Sequence, residues 1–201
     1  MLDVGIVATV FALIFVGELP DKSALASLVL GTRYPWFWAF SGVAAAFATH
    51  VVIAVAAGSV MTLLPQTLLK LLVAGLFLLG AVLIWREGAE DEAAELAEEE
   101  AVVGATDAKA GFAKVASMGY GIIFLAEWGD LTQIMTANLA AKYHSPVSVG
   151  IGAVLGLGSV ALLAILGGQA LLTVIPMRAI TRIAAVVMVA LSALTLWEAF
   201  G

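Results

Sequence analysis

Six long apolar runs make up most of the chain, at roughly residues 3–31, 36–59, 63–86, 113–141, 146–170 and 176–198. Each reaches the ~20 residues that an α-helix needs to cross the hydrocarbon core of a bilayer. None shows the apolar–polar alternation of a half-buried strand, which argues against a β-barrel. The pattern predicts an all-α integral membrane protein with six transmembrane helices. Punctuation agrees. Arg33, Tyr34 and Pro35 make a turn before the second run, Pro65 opens the third, Pro146 the fifth and Pro176 the sixth. Proline suits a first helical turn, where its missing N–H is no loss.

Polar residues inside the runs are concentrated in two stretches. FVGELPDKSALASLVLGTRY spans Phe15 to Tyr34, and FLAEWGDLTQIMTANLAAKY spans Phe124 to Tyr143. At one offset of 109 residues Glu18 aligns with Glu127, Asp21 with Asp130, Ser23 with Thr132, Ser27 with Thr136, Arg33 with Lys142 and Tyr34 with Tyr143. Further on, Pro65 matches Pro176 and Trp85 matches Trp197, so the offset drifts only to 112. The repeat therefore covers the chain. Residues 1–86 are the first three-helix unit, 113–201 the second, and 87–112 an acidic linker. Three is odd, so the units should insert in opposite orientations, as two inverted three-helix repeats.

Composition sharpens this picture. Of 201 residues, 63% are hydrophobic, against about half in soluble domains. No length is left for a separate soluble domain. The net charge of −6 resides in Arg86 to Lys114, where nine acids face three bases; elsewhere the charges cancel. Placing the N-terminus outside puts Arg33, Arg86, Lys109, Lys114, Arg178 and Arg182 in the cytoplasm and leaves Lys70 and Lys142 outside, as the positive-inside rule asks. The linker is then cytoplasmic and both termini external. The composition points to a bacterial plasma membrane. MLDVGIVATV lacks the basic region of a signal peptide and is expected to stay as the first helix. With no cysteine, thiolate metal sites and disulfides are excluded. Bases are too few for nucleic acid, so the partners are the lipid bilayer and a small solute. Neither a phosphate loop nor a nucleophile–base set is visible, so the chain is not expected to be an enzyme.

The repeated acids carry the chemistry. An acidic residue at the centre of a membrane helix costs roughly 2.5–3.5 kcal/mol, and here there are four: Glu18, Asp21, Glu127 and Asp130. Each pair is spaced i, i+3, which puts both carboxylates on one side of a continuous helix. Equivalent mid-helix positions of an inverted repeat meet near the bilayer midplane. Like charges that close raise one another's pKa, so an empty site should hold protons. A hard divalent cation would be held by the same oxygens, with help from Ser23, Thr132, Gln133 or Asn138. Oxygen-only ligation suits Ca²⁺, Mn²⁺ or Mg²⁺ better than Zn²⁺ or Cu⁺. Ser27 and Thr136 are expected to line the pathway. Lys22 is a candidate counter-charge and His50 a candidate proton relay. No cofactor is expected to be permanently bound; the metal is cargo. Exchange of a divalent cation for protons by alternating access follows. The alternatives are a divalent cation channel with an acidic ring and an exporter of a small organic cation.

These residues also resemble a known signature. E-x-G-D-[KR]-[ST], repeated at the start of each half, is the motif of the Gdt-one family (uncharacterised protein family sixteen). Its members resemble Ca²⁺/Mn²⁺:H⁺ antiporters of Golgi, chloroplast and bacterial membranes. The resemblance implies that Glu18, Asp21, Glu127 and Asp130 are the cation ligands and that Ser23 and Thr132 occupy the hydroxyl position. It also implies export of Mn²⁺ or Ca²⁺. Two positions depart from the motif: Pro20 replaces its glycine in the first copy, and Leu131 replaces its basic residue in the second.

Overall fold

The computed structural model describes residues 2–19, 22–87, 111–174 and 177–200. Pro20, Asp21 and most of the acidic linker (residues 88–110) lie outside the described residues. Among those described the chain is all-helical: α1 (Val4–Glu18), α2 (Lys22–Arg33), α3 (Trp36–Met61), α4 (Gln66–Glu87), α5 (Phe112–Ala126), α6 (Leu131–Tyr143), α7 (Pro146–Val174) and α8 (Met177–Phe200). Local chemistry sets the ends. Asp3 caps α1 by accepting from the N–H groups of Gly5 and Ile6, which have no carbonyl partner inside the helix. Arg33 and Lys142 close α2 and α6, where a positive charge complements the helix dipole. His144 ends α6 in the left-handed conformation at φ 50°.

The fourth apolar run differs from its expectation. It was read as one helix over 113–141 with both acids on one side. Instead it breaks into α5 and α6 at Glu127–Asp130. Gly129 sits at φ 81°, a conformation that costs glycine little and others much. Asp130 then caps α6 by accepting from the Thr132 N–H at 3.0 Å. A carboxylate beside exposed N–H groups starts a new helix rather than continuing an old one. The first run is interrupted at the equivalent place, and α1 meets α2 at 77°.

The two halves pack through equivalent pairs. α1 lies against α7 as α5 lies against α3, and α2 lies against α7 as α6 lies against α3. α3 and α7 also lie against each other, and α4 pairs with α8, where the Ser192 hydroxyl donates to the Ala74 carbonyl at 2.9 Å. Small residues make the close crossings. A Cβ at Gly42 would fall 2.1 Å from the Ala116 carbonyl oxygen, and one at Gly152 would fall 2.7 Å from that of Val7. Val10, Ile14, Val43 and Phe47 fill the core between them. Outward faces stay apolar, with Val52 and Ile53 on α3 and Leu155 and Leu163 on α7 exposed. That is the surface expected of a helix facing lipid. By length and composition α3 and residues Pro146–Gly167 of α7 are each able to cross a membrane alone, and α1 with α2 counts as a third, bent span.

The close crossings yield a prediction. Gly42→Ala and Gly152→Ala should each destabilise the protein by about 1–3 kcal/mol through overpacking. Gly158→Ala, where a Cβ meets nothing within 4 Å, should be neutral or slightly stabilising. Thermal unfolding of the three variants in detergent checks this.

Candidate cation site

Both breaks place carboxylates at helix ends. Glu18 is the last residue of α1, Glu127 follows the last residue of α5, and Asp130 precedes the first residue of α6. The final carbonyls of α1 and α5 carry partial negative charge, which favours a cation at those ends. Glu18 and Glu127 are buried, at 0% and 3% exposure, and Asp130 is half-buried. One carboxylate oxygen from each of these three residues lies within 4.8 Å of the others. The site thus joins α1 of the first half to the α5–α6 break of the second.

Gly17 allows this approach. A Cβ there would lie 3.2 Å from Met135 Cε and 3.9 Å from Thr132 Cγ2, so α1 seats against α6 one residue before Glu18. Gly17 was not singled out from the sequence, although a glycine beside a motif acid is the signal that could have found it.

The hydroxyls repeat the same arrangement in each half. The Ser23 hydroxyl donates to Glu18 Oε1, and the Thr132 hydroxyl lies 3.5 Å from Glu127 Oε2 and 3.4 Å from Asp130 Oδ2. Both are buried. A cavity of about 10 Å³ adjoins Glu127, lined also by Thr132, Thr136, Gln133 and His50. That is room for about one water.

The remaining sequence candidates fall in different places. Thr136 lines the cavity and donates its hydroxyl to the Thr132 carbonyl at 2.7 Å. Ser27 is buried one turn beyond Ser23, and its hydroxyl has no hydrogen-bond partner among the described residues. Asn138 is fully buried, with neither amide atom paired among the described residues. Two residues after Thr136, it points about 160° away round the helix and does not line the cavity. Gln133 spends both ends of its amide elsewhere, accepting from the Gly129 N–H and donating to His50 Nδ1, each at 2.9 Å. His50 reaches the Phe124 carbonyl through Nε2 at 3.0 Å. Asp21 and the side chain of Lys22 lie outside the described residues.

Comparison with known proteins now bears on this geometry. The profile of the family described as divalent cation/proton antiporter GDT1 matches the chain twice, over residues 6–92 and 115–201. The chain belongs to this family. It is 34% identical to a GDT1-like protein of Synechocystis over 78% of this chain and 80% of that one. It is 27% identical to the chloroplastic protein PAM71 of Arabidopsis thaliana over 95% of this chain and 56% of that one, and 29% identical to a chloroplastic GDT1-like protein of rice over 79% and 51%. The chain thus spans about half the length of these two plant relatives. No solved structure matches. GDT1 proteins are membrane transporters and not enzymes. The two matched segments are themselves offset by 109 residues, the spacing that aligns Glu18 with Glu127.

Thr132 offers the sharpest test of the hydroxyls. Thr132→Val keeps the shape and removes a hydroxyl directed at two carboxylates. It should weaken cation binding by about tenfold, the scale of a hydrogen bond to a charged group, whereas Thr132→Ser should not. Titration of the purified variants with Mn²⁺ and Ca²⁺ distinguishes them.

Proposed function

We propose that the protein exports Mn²⁺ or Ca²⁺ in exchange for protons, by alternating access at one intramembrane site. The observation that carries this reading is the convergence of Glu18, Glu127 and Asp130, from both halves, within 4.8 Å. Carboxylates that close, in a medium poor in water, cannot all be charged without a cation. Protons and metal therefore compete for the same oxygens, and loading one releases the other. By position in the repeat, Asp21 is the fourth member of the set.

The spacing suits the cargo. Oxygens ligate Ca²⁺ at about 2.3–2.6 Å, so two on opposite sides of the ion stand about 4.6–5.2 Å apart. Three oxygens within 4.8 Å can share one such ion with little rearrangement. The small cavity beside Glu127 favours a bare or partly hydrated metal over an organic cation. Ser23 and Thr132 supply hydroxyl oxygens, and Ser27 and Thr136 continue a hydroxyl track along α2 and α6. By its place in the motif, Lys22 is the counter-charge of this reading.

The architecture that fits this activity is six spans in two inverted repeats, residues 1–86 and 113–201, joined by a cytoplasmic acidic linker at 87–112. Two findings support it: the doubled family match and the pairing of equivalent helices across the halves. In this arrangement each half places its broken helix against the long helix of the other. Rocking of one half against the other opens the site to opposite sides in turn. The basic residues put both termini outside and the linker in the cytoplasm of a bacterial plasma membrane.

Proteoliposomes containing a pH-sensitive dye test the proposal. Adding Mn²⁺ or Ca²⁺ outside should drive metal in and protons out. Glu18→Gln and Glu127→Gln should each slow exchange about 100-fold or more, since disrupting a buried charge set costs about 3–5 kcal/mol. Metal flux without proton movement would instead make the protein a channel.

A further inference from the structure

The second break is held by groups that are not carboxylates. We infer that His50 and Gln133 are positioning residues that fix the Glu127–Asp130 turn and so set cation affinity from α3, a helix with no acid of its own. This deepens the proposed function and rests on it.

The hydrogen bonds have only one consistent direction. The Phe124 carbonyl can only accept, so His50 Nε2, 3.0 Å away, carries the proton and donates. His50 Nδ1 is then bare and accepts from the Gln133 amide nitrogen at 2.9 Å. That orients the amide, leaving Gln133 Oε1 to accept from the Gly129 N–H at 2.9 Å. Every member is neutral and satisfied at these contacts.

The chain meets the backbone where the break leaves it exposed. A continuous helix would pair the Phe124 carbonyl with the Trp128 N–H, but that N–H turns to the Leu125 carbonyl at 3.5 Å. His50 takes the vacated carbonyl, and Gln133 takes the Gly129 N–H at φ 81°. In a membrane such a group left unpaired finds no water to replace the lost partner. The His50 ring is also packed, with centroids 4.9 Å from Phe124 and 5.9 Å from Trp128. The two anchored groups, Phe124 and Gly129, bracket Glu127 and adjoin Asp130. The backbone that carries both carboxylates cannot shift far without breaking these contacts.

The device clamps the second half's break, with His50 reaching it from the first half. At the 109-residue offset Gln133 corresponds to Ala24 and Gly129 to Pro20. Alanine has no amide to offer. The two half-sites are therefore held differently, and removing the clamp should loosen Glu127 and Asp130 while leaving the Glu18–Ser23 pair intact.

The test measures Mn²⁺ affinity of purified protein, together with KM, turnover and proton coupling in proteoliposomes. His50→Leu and Gln133→Leu should each raise Kd and KM for Mn²⁺ by about 10- to 100-fold, the usual effect of losing a group that orients a ligand. Turnover at saturating metal should change little. The double variant should be no worse than either single one, because both cut the same chain. His50→Asn keeps an acceptor near the place of Nδ1 and should restore much of the affinity, with proton coupling retained although asparagine does not titrate. Should His50→Leu fail to assemble, Gln133→Leu and His50→Asn still give the answer. Wild-type Mn²⁺ affinity in both leucine variants would overturn the inference. So would normal affinity with lost proton coupling in His50→Asn, which would make His50 a relay. Failure of the wild-type protein itself to bind Mn²⁺ or Ca²⁺ would refute the cation reading instead.

Discussion

Carboxylates that converge inside an apolar helical bundle repel one another, and water is too scarce there to screen them. Folding tolerates this only if protons, a cation or hydrogen-bond donors occupy the oxygens. Much of the structure around Glu18, Glu127 and Asp130 meets that condition. Asp130 accepts from the Thr132 N–H at the start of α6, Ser23 and Thr132 turn hydroxyls towards Glu18 and Glu127, and a cavity with room for about one water adjoins Glu127. Under the proposed function, the convergence that burdens the fold is also what would exchange protons for metal.

That site exists because two ordinary devices coincide. A broken helix exposes backbone ends, and a small-residue crossing lets another helix approach closely. Gly129 and Asp130 make the break between α5 and α6, and Gly17 lets α1 reach α6. The swapped pairing of equivalent helices, α1 on α7 and α5 on α3, then carries an acid from one half to acids of the other. Neither half holds the three converging acids by itself. Relative motion of the halves would accordingly alter the distances on which both proton and metal affinity depend.

Much of this was legible in the sequence. Apolar runs marked the chain as all-helical and able to enter a membrane, although six runs became eight helices among the described residues, and the 109-residue offset paired Glu18 with Glu127. The family motif made the acids the candidate ligands. What was hidden depends on three-dimensional neighbours or on backbone conformation. Reading 113–141 as one helix missed the break, because a long apolar run outweighs a single glycine in any periodicity argument; the positive φ of Gly129 was the missing fact. Gln133 looked like a ligand because it follows the acids in sequence, but its partner His50 lies on another helix, and no spacing rule connects them. Asn138 was counted with the residues that help hold the cation because it follows the acids in sequence, yet two residues of helical rotation turn it away from Thr136. The first copy of the motif carries Pro20 in the glycine's place, and that position lies outside the described residues.

The central claim is that protons and metal share one set of oxygens. Its most direct test is proton release on binding, without any transport. Purified protein in weakly buffered detergent solution, with a soluble pH indicator, is mixed with Mn²⁺ or Ca²⁺ while metal binding is followed in parallel. Shared occupancy predicts acidification that saturates together with binding, and a metal affinity that falls as the starting pH is lowered. Metal binding with no proton released, at any starting pH at which the protein stays folded, would contradict it.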